Sequence, residues 1–279
     1  MNKRRIITTV VVILIAADLY ALLYPKVSEY VNSQSQSRAV VQYYDDVAAI
    51  GAENMQALIE AARAYNKGLL TKPDRFHMSD AEAAGYAEQL DAGRGIIGTL
   101  IIDKIDVNLP IYHGTDEGVL QVGLGHLQGT SLPVGGTGTH AFITGHRGLP
   151  SSTLLTDLDK MGLGDTFTLY VMGETLTYEV DDISTVEPGE TDALAIYPAM
   201  DYCTLVTCTP YGINTHRLLV RGQRVESAGI ITGWDTIYRD ARMLDKVNVI
   251  SIFIIPVLPV LILYVIFKCR KIYKGGLVL

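Results

Sequence analysis

Thr204-Leu205-Val206-Thr207-Cys208-Thr209-Pro210-Tyr211-Gly212-Ile213-Asn214-Thr215-His216-Arg217 reads as two strands joined by a turn. Thr204 to Thr207 is β-branched and apolar and leads straight into Cys208. Pro210 and Gly212 break the run, and Thr215 to Val220 resumes it. A thiol at the end of one strand then lies near a guanidinium at the start of the next. A neighbouring cation favours the nucleophilic thiolate, and a guanidinium can also stabilise an oxyanion. The hairpin therefore predicts cysteine chemistry, provided that the chain supplies a base.

Outward from the hairpin, short β-rich runs punctuated by Gly and Pro begin near Gly95. They are Gly98 to Ile105, Leu109 to Tyr112, His140 to Thr144, Thr166 to Val171, Thr175 to Val180, Tyr202 to Thr207 and Thr215 to Val225. Strands at this spacing, with little helix between them, predict an antiparallel barrel or sandwich. Ahead of them, Met55, Leu58, Ile59, Ala62 and Tyr65 fall at helical spacing within Arg38 to Tyr65, predicting one or two helices against the β domain. Asn66 to Gly95 is a poorly periodic connection that reads equally as a lid or as a disordered segment.

Both ends of the chain are apolar. Ile6 to Leu23 follows Lys3, Arg4 and Arg5, and no small-x-small pair follows it closely, which favours an uncleaved anchor over a signal peptide. Val247 to Phe267 carries no charge and precedes Lys268, Arg270, Lys271 and Lys274. The positive-inside rule then puts both termini in the cytoplasm and the β domain outside the cell membrane, with membrane lipid as a partner. A net charge of -7 and the lack of a compact basic patch argue against nucleic acid. The three cysteines, Cys203, Cys208 and Cys269, form no disulfide framework. The odd separation of Cys203 and Cys208 on one strand sends their side chains to opposite faces, and Cys269 falls at the cytoplasmic membrane edge.

Six histidines are candidates for the base. His146 sits in Thr144-Gly145-His146-Arg147-Gly148, where flanking glycines let the backbone expose an imidazole at a strand end. His216 is nearest to Cys208 in sequence, but it alternates with Arg217, so only one of the two can face the thiol.

These motifs resemble the sortases of Gram-positive bacteria, cysteine transpeptidases on a closed β-barrel. The runs Leu109-Pro110-Ile111-Tyr112-His113-Gly114-Thr115 and Gly125-His126-Leu127-Gln128-Gly129-Thr130-Ser131-Leu132-Pro133 are similar to the pilus-assembling class C branch, as is the second apolar end. The resemblance implies a mainly β fold: an anchor at 1–24, a helical lead-in at 25–70, a lid and connection at 71–95 and a barrel at 96–226. A spacer at 227–246, a second transmembrane helix at 247–267 and a cytoplasmic tail at 268–279 follow. It implies His146 as acid and base, Cys208 as nucleophile and Arg217 as carbonyl stabiliser. It also implies a lid in which Asp74 pairs with Arg217 and Phe76 covers Cys208, although Arg75 stands where such lids usually carry proline and Pro73 has moved ahead.

The implied reaction is cleavage of an LPXTG-like sorting signal, a thioacyl intermediate on Cys208, and transfer to a lysine amine of a neighbouring pilin subunit. No metal or cofactor is required, and Asp103, Asp106, Asp116, Asp181 and Asp182 read as solvated loop carboxylates rather than calcium ligands. Two other readings stand beside it. One is a housekeeping sortase attaching surface proteins to peptidoglycan, and the other is a catalytically silent scaffold that binds pilins.

Overall fold

A computed structural model describes residues 3–226, with side-chain surroundings from residue 12 onward. Helix α1 (Lys3–Ile50) runs without interruption through Pro25 and ends at Gly51, whose φ of 83° turns the chain into α2 (Ala52–Leu69). A short helix α3 (Asp80–Ala87) follows. Eight strands then close a barrel: β1 (Ile96–Ile102), β2 (Val107–His113), β3 (Leu124–His126), β4 (Thr139–Thr144), β5 (Thr166–Val171), β6 (Glu174–Val186), β7 (Asp201–Thr209) and β8 (His216–Val225). Helix α4 (Glu117–Val122) lies between β2 and β3.

The order around the barrel is β1-β2-β3-β4-β7-β8-β6-β5. The expected antiparallel sheet is therefore corrected to a mixed one, because β2 with β3 and β4 with β7 pair in parallel. The sequence stops short of this because partners in a parallel pair lie far apart along the chain. Strand β4 is buried at every position from Thr139 to Ile143, as expected of a parallel strand covered on both faces. Cys203 and Leu205 are fully buried, and the β4 residues paired with them, Ala141 and Ile143, are buried too. Burial pushes the Cys203 thiol well above its ordinary pKa, which leaves it inert.

Two expectations along the chain are refined. Residues 103–105 form a single 3-10 turn after β1 rather than the end of that strand. The irregular connection contains α3, whose start is a capping box in which the Ser79 hydroxyl accepts from the Glu82 N–H and the Glu82 carboxylate accepts from the Ser79 N–H. Among the described residues no helix is long and apolar enough to cross a membrane. Met1, Asn2 and residues 227–279, including Val247 to Phe267 and Cys269, lie outside the described residues.

Helix α1 docks through aromatic residues. Tyr43 and Tyr44 are buried at its C-terminal end and pack against Tyr170, with ring centroids 6.2 and 4.8 Å away. The Tyr43 hydroxyl donates to the Ile97 carbonyl at 3.1 Å and accepts from the Met172 N–H at 3.0 Å, tying the helix to β1 and to the β5–β6 turn at once. Tyr43→Phe leaves both backbone groups buried without a partner. It should lower stability by about 1–3 kcal/mol in urea unfolding, with the slope of the transition unchanged.

Candidate active site

Cys208 and Arg217 are direct partners in the β7–β8 ladder, and Thr209 pairs with His216. Residues directly opposite in an antiparallel pair point to the same face, so the thiol and the guanidinium share a face while His216 takes the other. His216 instead meets the Thr215 hydroxyl at 2.9 Å. Cys208 is half-buried. Among the described residues Arg217 donates to the Asn214 and His216 carbonyls alone, at 3.4 and 3.2 Å, so its guanidinium rests in its own turn. Asn214 enters that turn with a φ of 61°, a left-handed conformation that asparagine tolerates better than most residues.

His146 arrives from the neighbouring parallel strand. The β4–β7 register ends with Thr144 opposite Val206. The ladder continues beyond it, because the Gly145 N–H donates to the Val206 carbonyl at 3.0 Å and the Thr207 hydroxyl donates to the Gly145 carbonyl at 2.8 Å. Carrying the same register onward brings His146 level with Cys208. Glycine at 145 lets Leu124 and Leu155 pack close, since a Cβ would meet their side chains at 2.6 and 3.0 Å and make them shift. The three residues singled out in the sequence thus converge on the end of β7 from both of its neighbours.

The other histidines are committed elsewhere. Buried His126 donates from Nε2 to the Ser131 carbonyl at 2.8 Å and meets the Tyr86 hydroxyl at Nδ1. His140 donates from Nδ1 to the Ala195 carbonyl and accepts the Thr204 hydroxyl at Nε2, both at 2.8 Å. His113 holds the Gln89 carbonyl at 2.7 Å, and exposed His77 holds Asp74. Only His146 has a ring nitrogen, Nε2, that is buried and lacks a hydrogen bond among the described residues.

Arg217 also lines a groove of about 390 Å³ walled by Leu120, Leu127, Phe142, Val186, Leu194 and Val206, with Glu187 and Glu190 among its lining. The loop from β6 to β7 forms one bank. It is held by His140 at the Ala195 carbonyl and by Arg75, which donates to the Leu194 carbonyl. Arg147, next to His146, is committed to Asp159 and to the Thr209 hydroxyl, at 3.3 Å for the latter. That leaves Arg217 as the guanidinium facing the thiol.

The segment Asp74-Arg75-Phe76 lies along the same loop, but its contacts differ from those expected. Asp74 gives its carboxylate to His77, at 2.8 Å from Nδ1, rather than to Arg217. The turn places His77 three residues on, and this local bond draws the Asp74 carboxyl below its usual range. Arg75 stacks over Phe76 with its guanidinium carbon 4.8 Å from the ring centroid. Both pack on Gly129, where a Cβ would meet the Arg75 carbonyl oxygen at 2.5 Å and the Phe76 ring at 2.7 Å. With a φ of 90°, Gly129 is confined to glycine twice over. Sequence reasoning treated Arg75 as a departure and gave it no role, and no local pattern marks Leu194 as its acceptor.

A family model described as the Sortase domain matches residues 100–225. Sortase C1 of Streptococcus agalactiae is 49% identical in sequence and superposes with a TM-score of 0.66, covering 68% of this chain and 98% of that one. Sortase C of Streptococcus pneumoniae is 42% identical with a TM-score of 0.63, covering 70% of this chain and all of its own, 100%. Sortase D of Bacillus subtilis is 28% identical over 131 residues, 46% of this chain, and the chain spans 63% of that relative's length.

The buried histidines set a pH dependence. Burial lowers the pKa of both His126 and His140 from 6.5 to about 4. In the unfolded chain they take up protons near pH 6.5, so the stability their neutral forms contribute is complete above that value. It is lost as pH falls through 4, amounting to about 3 kcal/mol for each. Stability in chemical denaturation should therefore fall between pH 6.5 and 4, and His140→Gln should flatten that slope. A wild-type profile that is level across this window contradicts the assignment.

Proposed function

The chain belongs to the sortase family, and we propose that it is a cysteine transpeptidase that joins pilin subunits through isopeptide bonds. The observation that carries this reading is the strand register that sets Cys208 opposite Arg217 and brings His146 level with them. The Cys208 sulfur attacks the carbonyl carbon of the threonine in an LPXTG-like signal. The oxyanion that forms is stabilised by the Arg217 guanidinium. His146 gives its proton to the departing glycine amine as the C–N bond breaks, leaving a thioacyl ester on Cys208. A lysine amine of the next subunit then attacks, its proton passes to His146, the C–S bond breaks and the thiolate returns. The substrate is one acyl group exchanged between two amines, so no electrons are gained or lost.

The apolar groove supports the substrate class. Its walls of Leu, Phe and Val side chains suit the leucine and proline of a sorting signal, and Arg217 lines the same groove, where it could meet the scissile carbonyl. The similarity to sortases C of two streptococci favours pilins over peptidoglycan as acceptor. The proposed setting is the outer face of the cell membrane. The apolar runs Ile6 to Leu23 and Val247 to Phe267 would be its anchors, with both termini in the cytoplasm.

Cys208→Ala should abolish both pilin polymerisation and capture of a sorting peptide as a thioester, and normal polymer from that variant would refute the reading. Arg217→Ala should lower kcat for peptide cleavage by about 10²-fold or more with little change in KM, the mark of a contact made in the transition state.

Asp74 to Phe76 is proposed as a lid whose hold comes from Arg75 rather than Asp74. Arg75→Ala removes a charged hydrogen bond to Leu194 and a stacked ring, so Cys208 should react about 3- to 10-fold faster with a thiol reagent. Asp74→Ala should change that rate less, and equal rates for wild type and Arg75→Ala would count against the latch.

A further inference from the structure

We propose that Glu117 is the positioning residue for His146, holding one nitrogen of its ring so that the other is left to move protons. This inference rests on the acid and base role of His146 given above and adds a residue that the sequence motifs do not mark. A ring that must give and take a proton at one nitrogen works best when its second nitrogen is held by an acceptor, which fixes tautomer and orientation together. His146 Nε2 is buried and has no hydrogen bond, yet Glu117 Oε1 lies only 3.6 Å away. The carboxylate is thus the acceptor next to an otherwise unsatisfied nitrogen.

Glu117 is itself placed by its surroundings. It opens α4, whose first turn is closed by the Val119 and Leu120 N–H groups donating to the Asp116 carbonyl at 2.9 and 3.0 Å. The Gln121 side chain donates to the same Oε1 at 3.0 Å and steadies it. One turn on, Leu120 forms a wall of the substrate groove. The helix that carries the acceptor therefore also touches whatever fills the groove. A gap of 3.6 Å is slightly wider than a hydrogen bond, and such contacts tighten when substrate binds.

Charge is the smaller part of the effect. The Glu117 side chain is 70% exposed, so solvent screens its field at the imidazole. The other charged groups nearby are accounted for: Arg147 is paired with Asp159, and Arg217 faces Cys208 across the β7–β8 ladder. An acceptor that orients the ring predicts that a neutral acceptor can replace it, whereas an essential charge predicts that it cannot.

The test uses the full-length enzyme with Glu117→Ala and Glu117→Gln. Nitrogen-15 NMR of the His146 ring reports the tautomer directly, and cleavage of an LPXTG-containing peptide reports turnover. Glu117→Ala should move the ring from the Nε2–H form toward a mixture and lower kcat about 5- to 20-fold, with KM changed less than twofold. Glu117→Gln should restore the tautomer and most of kcat. A wild-type tautomer together with wild-type kcat in Glu117→Ala overturns the proposal, as does an equal loss in both variants without a change of tautomer. The NMR readout does not depend on activity. Failure of the wild-type enzyme to cleave the peptide, with the tautomer still shifting in Glu117→Ala, would overturn the transpeptidase reading and leave the Glu117 contact standing.

Discussion

Strand β7 carries Cys208 and pairs in parallel with β4 on one side and antiparallel with β8 on the other, so two ladders decide what the thiol can meet. A slip of one residue in either would reverse the faces. Against β8 it would offer the thiol His216 in place of Arg217, and against β4 it would take His146 out of level. Burial on both faces resists such a slip, because sliding β7 would carry Thr204 away from His140 and Leu205 out of the core. On β8, Gly222 enforces the same register, since a Cβ there would meet the Phe167 ring at 2.7 Å. The geometry of the proposed catalytic site is thus a by-product of core packing, and rigid strands hold it with no hydrogen bond between the three side chains among the described residues.

The same packing separates accessible from sequestered groups of one chemical type. Cys203 and Cys208 share a strand, but Cys203 faces the interior, where burial keeps its thiol protonated, whereas Cys208 is half-open at the strand end. His140 within β4 and His146 just beyond its end differ in a similar way. His140 has both nitrogens bonded and is held neutral by burial, while the ring beyond the strand end keeps a nitrogen unsatisfied. Position along a strand, more than residue identity, decides which histidine can work.

Much of this was legible in the sequence. β-Branched runs broken by Pro and Gly gave seven of the strands, and Thr166–Val171 matched to the residue. Alternation alone placed Cys203 and Cys208 on opposite faces and set Arg217 against His216. Strand β3 escaped because three residues show no period. The parallel pairing of β4 with β7 escaped because no turn joins them, so the nearness of His146 to Cys208 came only from the family resemblance. The capping box of α3 was present as Ser79 to Glu82 but lay in a stretch too irregular for periodicity to reveal. The partner of Asp74 was misjudged for a local reason: a histidine three residues away competes better than an arginine across the molecule.

Helix α1 joins these elements to the proposed membrane setting. Asn32 donates to the Ser151 carbonyl at 2.7 Å, Gln36 to the Ser152 hydroxyl at 3.0 Å, and Thr153 to Glu29 at 2.7 Å. The loop they hold begins a few residues after His146, and Leu155 donates back to the His146 carbonyl. Because α1 is one unbroken helix from Lys3 to Ile50, each residue beyond the apolar run adds a rise of about 1.5 Å. On the proposed anchoring, the catalytic loop is fastened about 10 to 20 Å beyond the end of the apolar run, through the helix rather than a flexible linker. A substrate tethered to the same membrane would then meet the groove at a height set by α1. The proposed lid, tied by Arg75 to the Leu194 carbonyl, would then govern access to the groove, while the helix would set its position.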